Sequence, residues 1–138
     1  MMAPRAILTQ RLYTGGRVNG EKVWVGVRGP YERTHTNLDP RLDLANHSPD
    51  GFEYGYAGSG PAQLALAILA DHLKHFPQDL EYARKIGKVD DDFHDGPDGL
   101  ALRCHQAFKF AVIAGLKGNS WQLTSDEISD RLKRMAAR

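Results

Sequence analysis

The chain has 138 residues, with 18 Lys+Arg against 17 Asp+Glu, a net charge of +1, and 41% hydrophobic residues. This is the composition of a folded globular protein of one-domain length; it excludes a disordered tail and a disulfide scaffold. No apolar run approaches the roughly 20 residues of a membrane span, the first residues lack a signal-peptide pattern, and a lone cysteine, Cys104, suits a reducing cytoplasm.

Residues 10–18 and 21–28 flank Asn19-Gly20, the pair favoured in a two-residue hairpin turn. With that turn Val18 faces Glu21, Gly16 faces Val23, Thr14 faces Val25 and Leu12 faces Val27. Leu12 and the three valines then share the buried face. The other face carries Arg11, Tyr13, Arg17, Lys22, Trp24 and Arg28, with Trp24 over Gly15 and Tyr13 over Gly26. Gly15-Gly16 leaves room for another register. Short strands are expected over residues 34–38, 41–45 and 52–56, between breakers such as Gly29-Pro30 and Asp39-Pro40.

The hydrophobic period then changes. Gly58-Ser59-Gly60-Pro61 starts a helix with proline in its first turn. It runs to about Phe76 on an apolar stripe that includes Ala62, Leu66, Leu69 and Leu73, and Pro77 stops it. A short polar helix is expected over residues 79–86, an acidic loop over 90–98, and an apolar helix over 99–116 closed by Gly118-Asn119. Residues 121–123 are extended. Thr124 and Glu127 have the spacing of a capping box for a last helix over 125–136, acidic at its start and basic at its end. The expected fold is α+β, one domain over residues 1–138, with an N-terminal antiparallel hairpin or small sheet packed against three to four C-terminal helices.

Several segments have the outline of a functional motif. Gly55 and Gly60 are spaced like the glycines of a phosphate loop, but Pro61 and Ala62 stand where its lysine and hydroxyl belong, which excludes nucleotide hydrolysis. Around Ser59 a nucleophile elbow would need glycine at 57 and 61, which hold alanine and proline. Gly58, Ser59 and Gly60 are therefore either a tight packing turn or an anion or ligand site at a helix start. His72 and His75 could share a metal, but no spacing supplies a third ligand, so none is expected. Cys104 and His105 are neighbours on a helix, about 100° apart, and cannot form a nucleophile–base pair. Residues 90–101 fail as a calcium loop, with Asp95 in place of its glycine and Ala101 in place of its last glutamate. No catalytic residue and no cofactor are expected.

The hairpin region is richer in charge. Residues 5–33 hold six bases, Arg5, Arg11, Arg17, Lys22, Arg28 and Arg33, against Glu21 and Glu32. In the expected register Arg17–Lys22 and Arg11–Arg28 are like-charge pairs, which cost stability unless an anion or partner lies between them. Bases with Tyr13 and Trp24 on a strand face suit single-stranded nucleic acid or an acidic partner; a solvated edge is the other account.

The stretch of residues 46–67, NHSPDGFEYGYAGSGPAQLALA, resembles a family of small uncharacterised proteins of bacteriophages and bacterial mobile elements. The likeness extends more loosely to Arg11-Leu12-Tyr13 with Gly15, and to the segments around Phe108 and Trp121. It brings no activity and no catalytic residue. It implies a small accessory protein in the bacterial cytoplasm that binds host machinery, defence systems included. The expected function is thus non-enzymatic binding of a host protein or nucleoprotein complex, with nucleic acid as another partner and no membrane. The alternative is a small-molecule or nucleotide binding domain that uses the Gly58–Gly60 helix start. The oligomeric state is left open.

Overall fold

Asn19 and Gly20 turn the chain as their residue types favour. Both take positive φ, 54° and 75°, and the Glu21 N–H donates to the Val18 carbonyl at 3.1 Å. The structure, a computed structural model, describes residues 8–90 and 96–138. The turn joins β1 (Leu12–Val18) to β2 (Lys22–Arg28), but the ladder resumes with Val18 opposite Lys22, so Glu21 is an extra, unpaired residue. This corrects the expected register by one position. A one-residue slip turns a whole strand over: Val23, Val25 and Val27 stay in the core, while Tyr13 faces inward with them and Leu12 lies on the other face opposite Arg28.

The sheet has four antiparallel strands in the order β3-β2-β1-β4. Of the short strands expected between residues 34 and 56 only β3 (Thr36–Asn37) forms, beside β2; residues 41–45 and 52–56 are not strands. β4 (Ser120–Thr124) comes from far along the chain to pair with the outside of β1, which places Trp121 opposite Gly15. A Cβ on Gly15 would overlap the Trp121 indole, and one on Gly26 would meet the Trp24 ring at 2.6 Å. Aromatic rings do cover both strand glycines, but Trp121 stands over Gly15, and Trp24 over Gly26 of its own strand.

Helix α1 (Ser59–His75) starts at Gly58 and Pro61 as expected, and it is buried almost all round from Gly60 to Ala70. After a 3-10 turn over Pro77–Asp79 comes α2 (Leu80–Gly87), ended by Lys88 in the left-handed conformation. Helix α3 (Pro97–Ala111) begins and ends earlier than expected; a 3-10 turn over Ile113–Gly115 takes up the rest of the predicted span. The acidic loop falls largely on residues 91–95, outside the described residues. Helix α4 (Ser125–Ala136) carries the capping box: Glu127 N–H donates to Thr124 Oγ1 at 3.2 Å, and Thr124 N–H to Glu127 Oε1 at 3.1 Å.

One hydrophobic core runs from Tyr13 on β1 to Leu132 on α4, with α1 at its centre and α3 and the inner sheet face around it. The fold is α+β, a four-stranded sheet with four helices, its last strand entering between α3 and α4, and no described helix is long and apolar enough to cross a membrane.

Candidate functional site

The register shift divides the basic and aromatic hairpin residues between two faces. Tyr13 is wholly buried, and Arg28 nearly so. Arg11 and Arg17 turn toward the helices: Arg11 grips Asp71 of α1 at 2.7 and 2.9 Å, and Arg17 grips Glu53 at 2.7 and 3.1 Å while lying 4.9 Å from the Tyr54 ring centre. The Arg17 guanidinium holds the Glu53 carboxyl below its usual value. Only Lys22 and Trp24 stay together on the open outer face.

On that face Trp24 is held in place. Its ring lies over Gly26, its Nε1 donates to Asn37 Oδ1 at 3.0 Å, and it meets the His35 ring edge-on at 6.2 Å. His35 in turn contacts Thr14 Oγ1 at 3.2 Å. Beside Trp24, Val18, Lys22 and Glu21 rim a hollow of about 460 Å³ at the hairpin end.

On the helix side, Arg11, Tyr13 and Asp71 form a polar knot. Tyr13 Oη donates to Asp71 Oδ2, the oxygen that also accepts from Arg11 Nε. Burial alone would push the Asp71 carboxyl up, but the hydrogen bonds from Arg11 and Tyr13 outweigh it and hold it below its usual value. Burial, with the Asp71 charge, pushes the Tyr13 hydroxyl well above the ordinary phenol. The knot lies on one wall of a cleft of about 760 Å³, bounded by α1, the β2–β3 edge and the start of α3. Val27, Leu38, Ala67 and Ala70 form its apolar floor. Arg41 ties the far wall together, donating to Asp43 at 3.0 and 3.1 Å and to Asp98 at 3.1 and 2.9 Å. Lys74, one turn beyond Asp71, stands exposed at the rim. The cleft is not legible in the linear sequence, because its charged groups are far apart along the chain. The available signal was Asp71, the first polar residue after the Leu64–Ala70 run.

The Gly58–Gly60 turn has a packing account of its own. A Cβ on Gly60 would meet Glu53 Cβ at 2.6 Å, and one on Gly58 would meet the Tyr56 ring at 2.7 Å; Ser59 is exposed. Nearby groups serve the same joint. Gly55, at φ 87°, donates to the Ile113 carbonyl at 3.1 Å, and Tyr54 Oη donates to the Gly118 carbonyl at 2.7 Å. Gln63, fully buried, uses its whole amide: Oε1 accepts from the His47 and Ser48 N–H groups at 2.8 and 3.2 Å, and Nε2 donates to the Pro40 and Ala45 carbonyls at 2.6 and 3.0 Å. Much of the 46–67 stretch is therefore a clamp between α1 and the loop before it.

His72 and His75 do not converge on a metal. His72 is buried and donates to Asp79 Oδ2 at 2.7 Å, an oxygen that also accepts from Ser129 Oγ at 2.5 Å. His75 is exposed and donates to the Asp71 carbonyl at 2.8 Å. Ser129, His72 and Asp79 are not a nucleophile triad, because hydroxyl and carboxylate both lie at His72 Nε2. Among the described residues no group of three or more His, Cys, Asp or Glu could hold a metal ion. Cys104 is buried and donates to the Ala83 carbonyl at 3.2 Å, and burial pushes its thiol up to about 11, which keeps it from acting as a thiolate.

No curated protein and no solved structure matches the chain. A family model described as "Family of unknown function (DUF6166)" matches residues 13–87, from β1 to the end of α2, including Tyr13, Gln63 and Asp71. That is more than half of the chain, and the chain belongs to this family.

Proposed function

We propose that this is a non-enzymatic binding protein that engages a macromolecular partner through the outer face of its hairpin, with Trp24 as the anchor. The observation that carries the proposal is the state of Trp24: 42% exposed, yet fixed by Gly26, Asn37 and His35. An exposed indole that is already ordered loses little conformational freedom on binding, and such aromatics dominate the energetics of interfaces. Val18, 59% exposed, adds apolar surface, and the adjoining hollow has room for a partner's side chain. Lys22 on the same face favours an acidic partner surface. The phage or mobile-element setting, with a host protein or nucleoprotein complex as target and counter-defence as one use, is supported by the resemblance carried by residues 46–67.

Capture from bacterial lysate with three forms of the protein tests this. A host protein held by wild type and by Lys74→Glu, but lost with Trp24→Ala, is the expected result. Capture indifferent to Trp24→Ala overturns the proposal. Oligonucleotide binding that depends on Trp24 and fades with salt would make nucleic acid the partner instead.

A further inference from the structure

We propose that the cleft between α1, the β2–β3 edge and the start of α3 is a binding site for a small organic molecule bearing an oxyanion, a carboxylate or a phosphate. Its volume of about 760 Å³ lies within the range of sites that enclose metabolite-sized ligands. The apolar floor of Val27, Leu38, Ala67 and Ala70 suits the carbon skeleton of such a molecule.

The charges around the cleft are evenly matched in number: Arg11, Arg41 and Lys74 against Asp39, Asp71 and Asp98. Their hydrogen bonds are not evenly matched. Each of the three aspartates already accepts from an arginine. Asp71 takes Arg11, Asp98 takes the Arg41 side chain, and Asp39 Oδ1 takes the Arg41 backbone N–H at 2.9 Å. What remains is mostly donor. Arg11 uses Nε and Nη2 on Asp71, which leaves its Nη1 edge; Asn37 uses Oδ1 on Trp24, which leaves its Nδ2. Lys74 forms no ion pair with any described residue. Both oxygens of Asp71 and of Asp98 are engaged and Asp39 Oδ2 alone of the cleft's carboxylate oxygens accepts no bond from a described residue, so the open groups are mainly donors and recognise a ligand that brings acceptors.

The site is also ordered before any ligand arrives. Asp71 and Tyr13 fix the Arg11 guanidinium, and Asp43 and Asp98 fix that of Arg41. Lys74, exposed at the rim, is the cation placed to reach over a ligand. Pre-set donors reduce the ordering cost of binding.

Titration of the full chain at low ionic strength tests the site, with inorganic phosphate, citrate and AMP as probes, read by NMR shifts of the Lys74 and Arg11 side chains. The expected result is that citrate or AMP shifts both groups and binds more tightly than inorganic phosphate. Which of the two binds distinguishes a carboxylate from a phosphate ligand. Lys74→Glu should weaken binding by about tenfold or more, and Lys74→Arg should restore most of it. Lys74 is exposed, so both variants keep the fold, and Lys85→Glu, the same charge reversal at an exposed lysine outside the cleft lining, should leave the affinity unchanged. If no probe moves the Lys74 and Arg11 signals, if inorganic phosphate binds as tightly as the organic anions, or if Lys74→Glu has no effect, the proposal is overturned.

Discussion

His47 and His105 face each other with their Nε2 atoms 2.9 Å apart and their ring centres 5.0 Å apart, which points the rings nearly end to end. The proton positions follow from the neighbours. His105 Nδ1 lies 2.7 Å from the Leu102 carbonyl, which can only accept, so Nδ1 carries a hydrogen. In the neutral pair His105 Nε2 is then the acceptor and His47 Nε2 the donor. With both rings protonated, two N–H groups would confront each other, and the contact between the loop and α3 would open.

Stability should therefore fall on mild acidification. Burial, aided by the charges of His47 and Lys109, lowers the His105 pKa, and burial and Arg28 lower that of His35. A histidine lowered in the folded state favours folding above its unfolded value of about 6.5, and that contribution is lost as pH falls toward the folded value. Thermal melts from about pH 8 to about pH 5 should show a declining melting temperature. His105→Gln should flatten the decline, leaving the share of His35. A melting temperature that rises or stays level over this range would refute the assignment.

Gln63→Glu keeps the shape of the clamp but removes its two donors. The Pro40 and Ala45 carbonyls lose their partner in a buried site, so the expected loss is at least about 2 kcal/mol. Hydrogen exchange should show the His47 and Ser48 amides opening ahead of the core. A variant within about 0.5 kcal/mol of wild type would show that the amide is dispensable.

Tyr13→Phe deletes one hydrogen bond to a largely buried carboxylate and should cost about 1–3 kcal/mol in urea unfolding. Asp71→Ala should cost more, about 3–5 kcal/mol, because it strands both Arg11 and Tyr13. The lowered Asp71 and Asp79 carboxyls add a second acid step. Their stabilisation is complete above the ordinary carboxylate value of about 4 and is lost as pH falls through the lower folded values. Asp71→Ala should shrink that step.

Gly26→Ala separates folding from binding at the outer face. The added Cβ would meet the Trp24 ring at 2.6 Å, so the indole must leave its seat while the strand remains. Trp24 fluorescence should become more quenchable by acrylamide, partner capture should weaken, and circular dichroism should hardly change. Unchanged capture with a displaced ring would mean that the orientation of Trp24 does not matter.

Local chemistry was the part of this molecule legible in its sequence. The inward valines of β2, the Asn19-Gly20 turn, the helix start at Pro61 and the Thr124–Glu127 capping box each depend on residues a few positions apart. The face of β1 was not legible. It depends on whether Glu21 enters the ladder, and that is decided by distant groups: Trp121, which needs Gly15 beneath it, and Asp71, which Tyr13 must reach. The cleft was hidden for the same reason, since Arg11 and Asp71 are 60 positions apart, and Arg41 and Asp98 57. The Gly58–Gly60 segment was conspicuous as a motif, and the packing of Glu53 and Tyr56 against its glycines is invisible in a linear reading.

The placement of β4 bears on how the chain can be made. Strand β1 pairs on one side with its hairpin partner and on the other with residues more than a hundred positions later. Until the ribosome has released Ser120–Thr124, that second edge is bare and the Gly15 seat is empty. The family-matched segment, residues 13–87, lacks both this strand and α3, the main neighbour of α1. Expressed by itself it would present an open sheet edge beside uncovered apolar helix, the conditions under which chains aggregate. The span matched by the family model is thus shorter than the span that packs into one core.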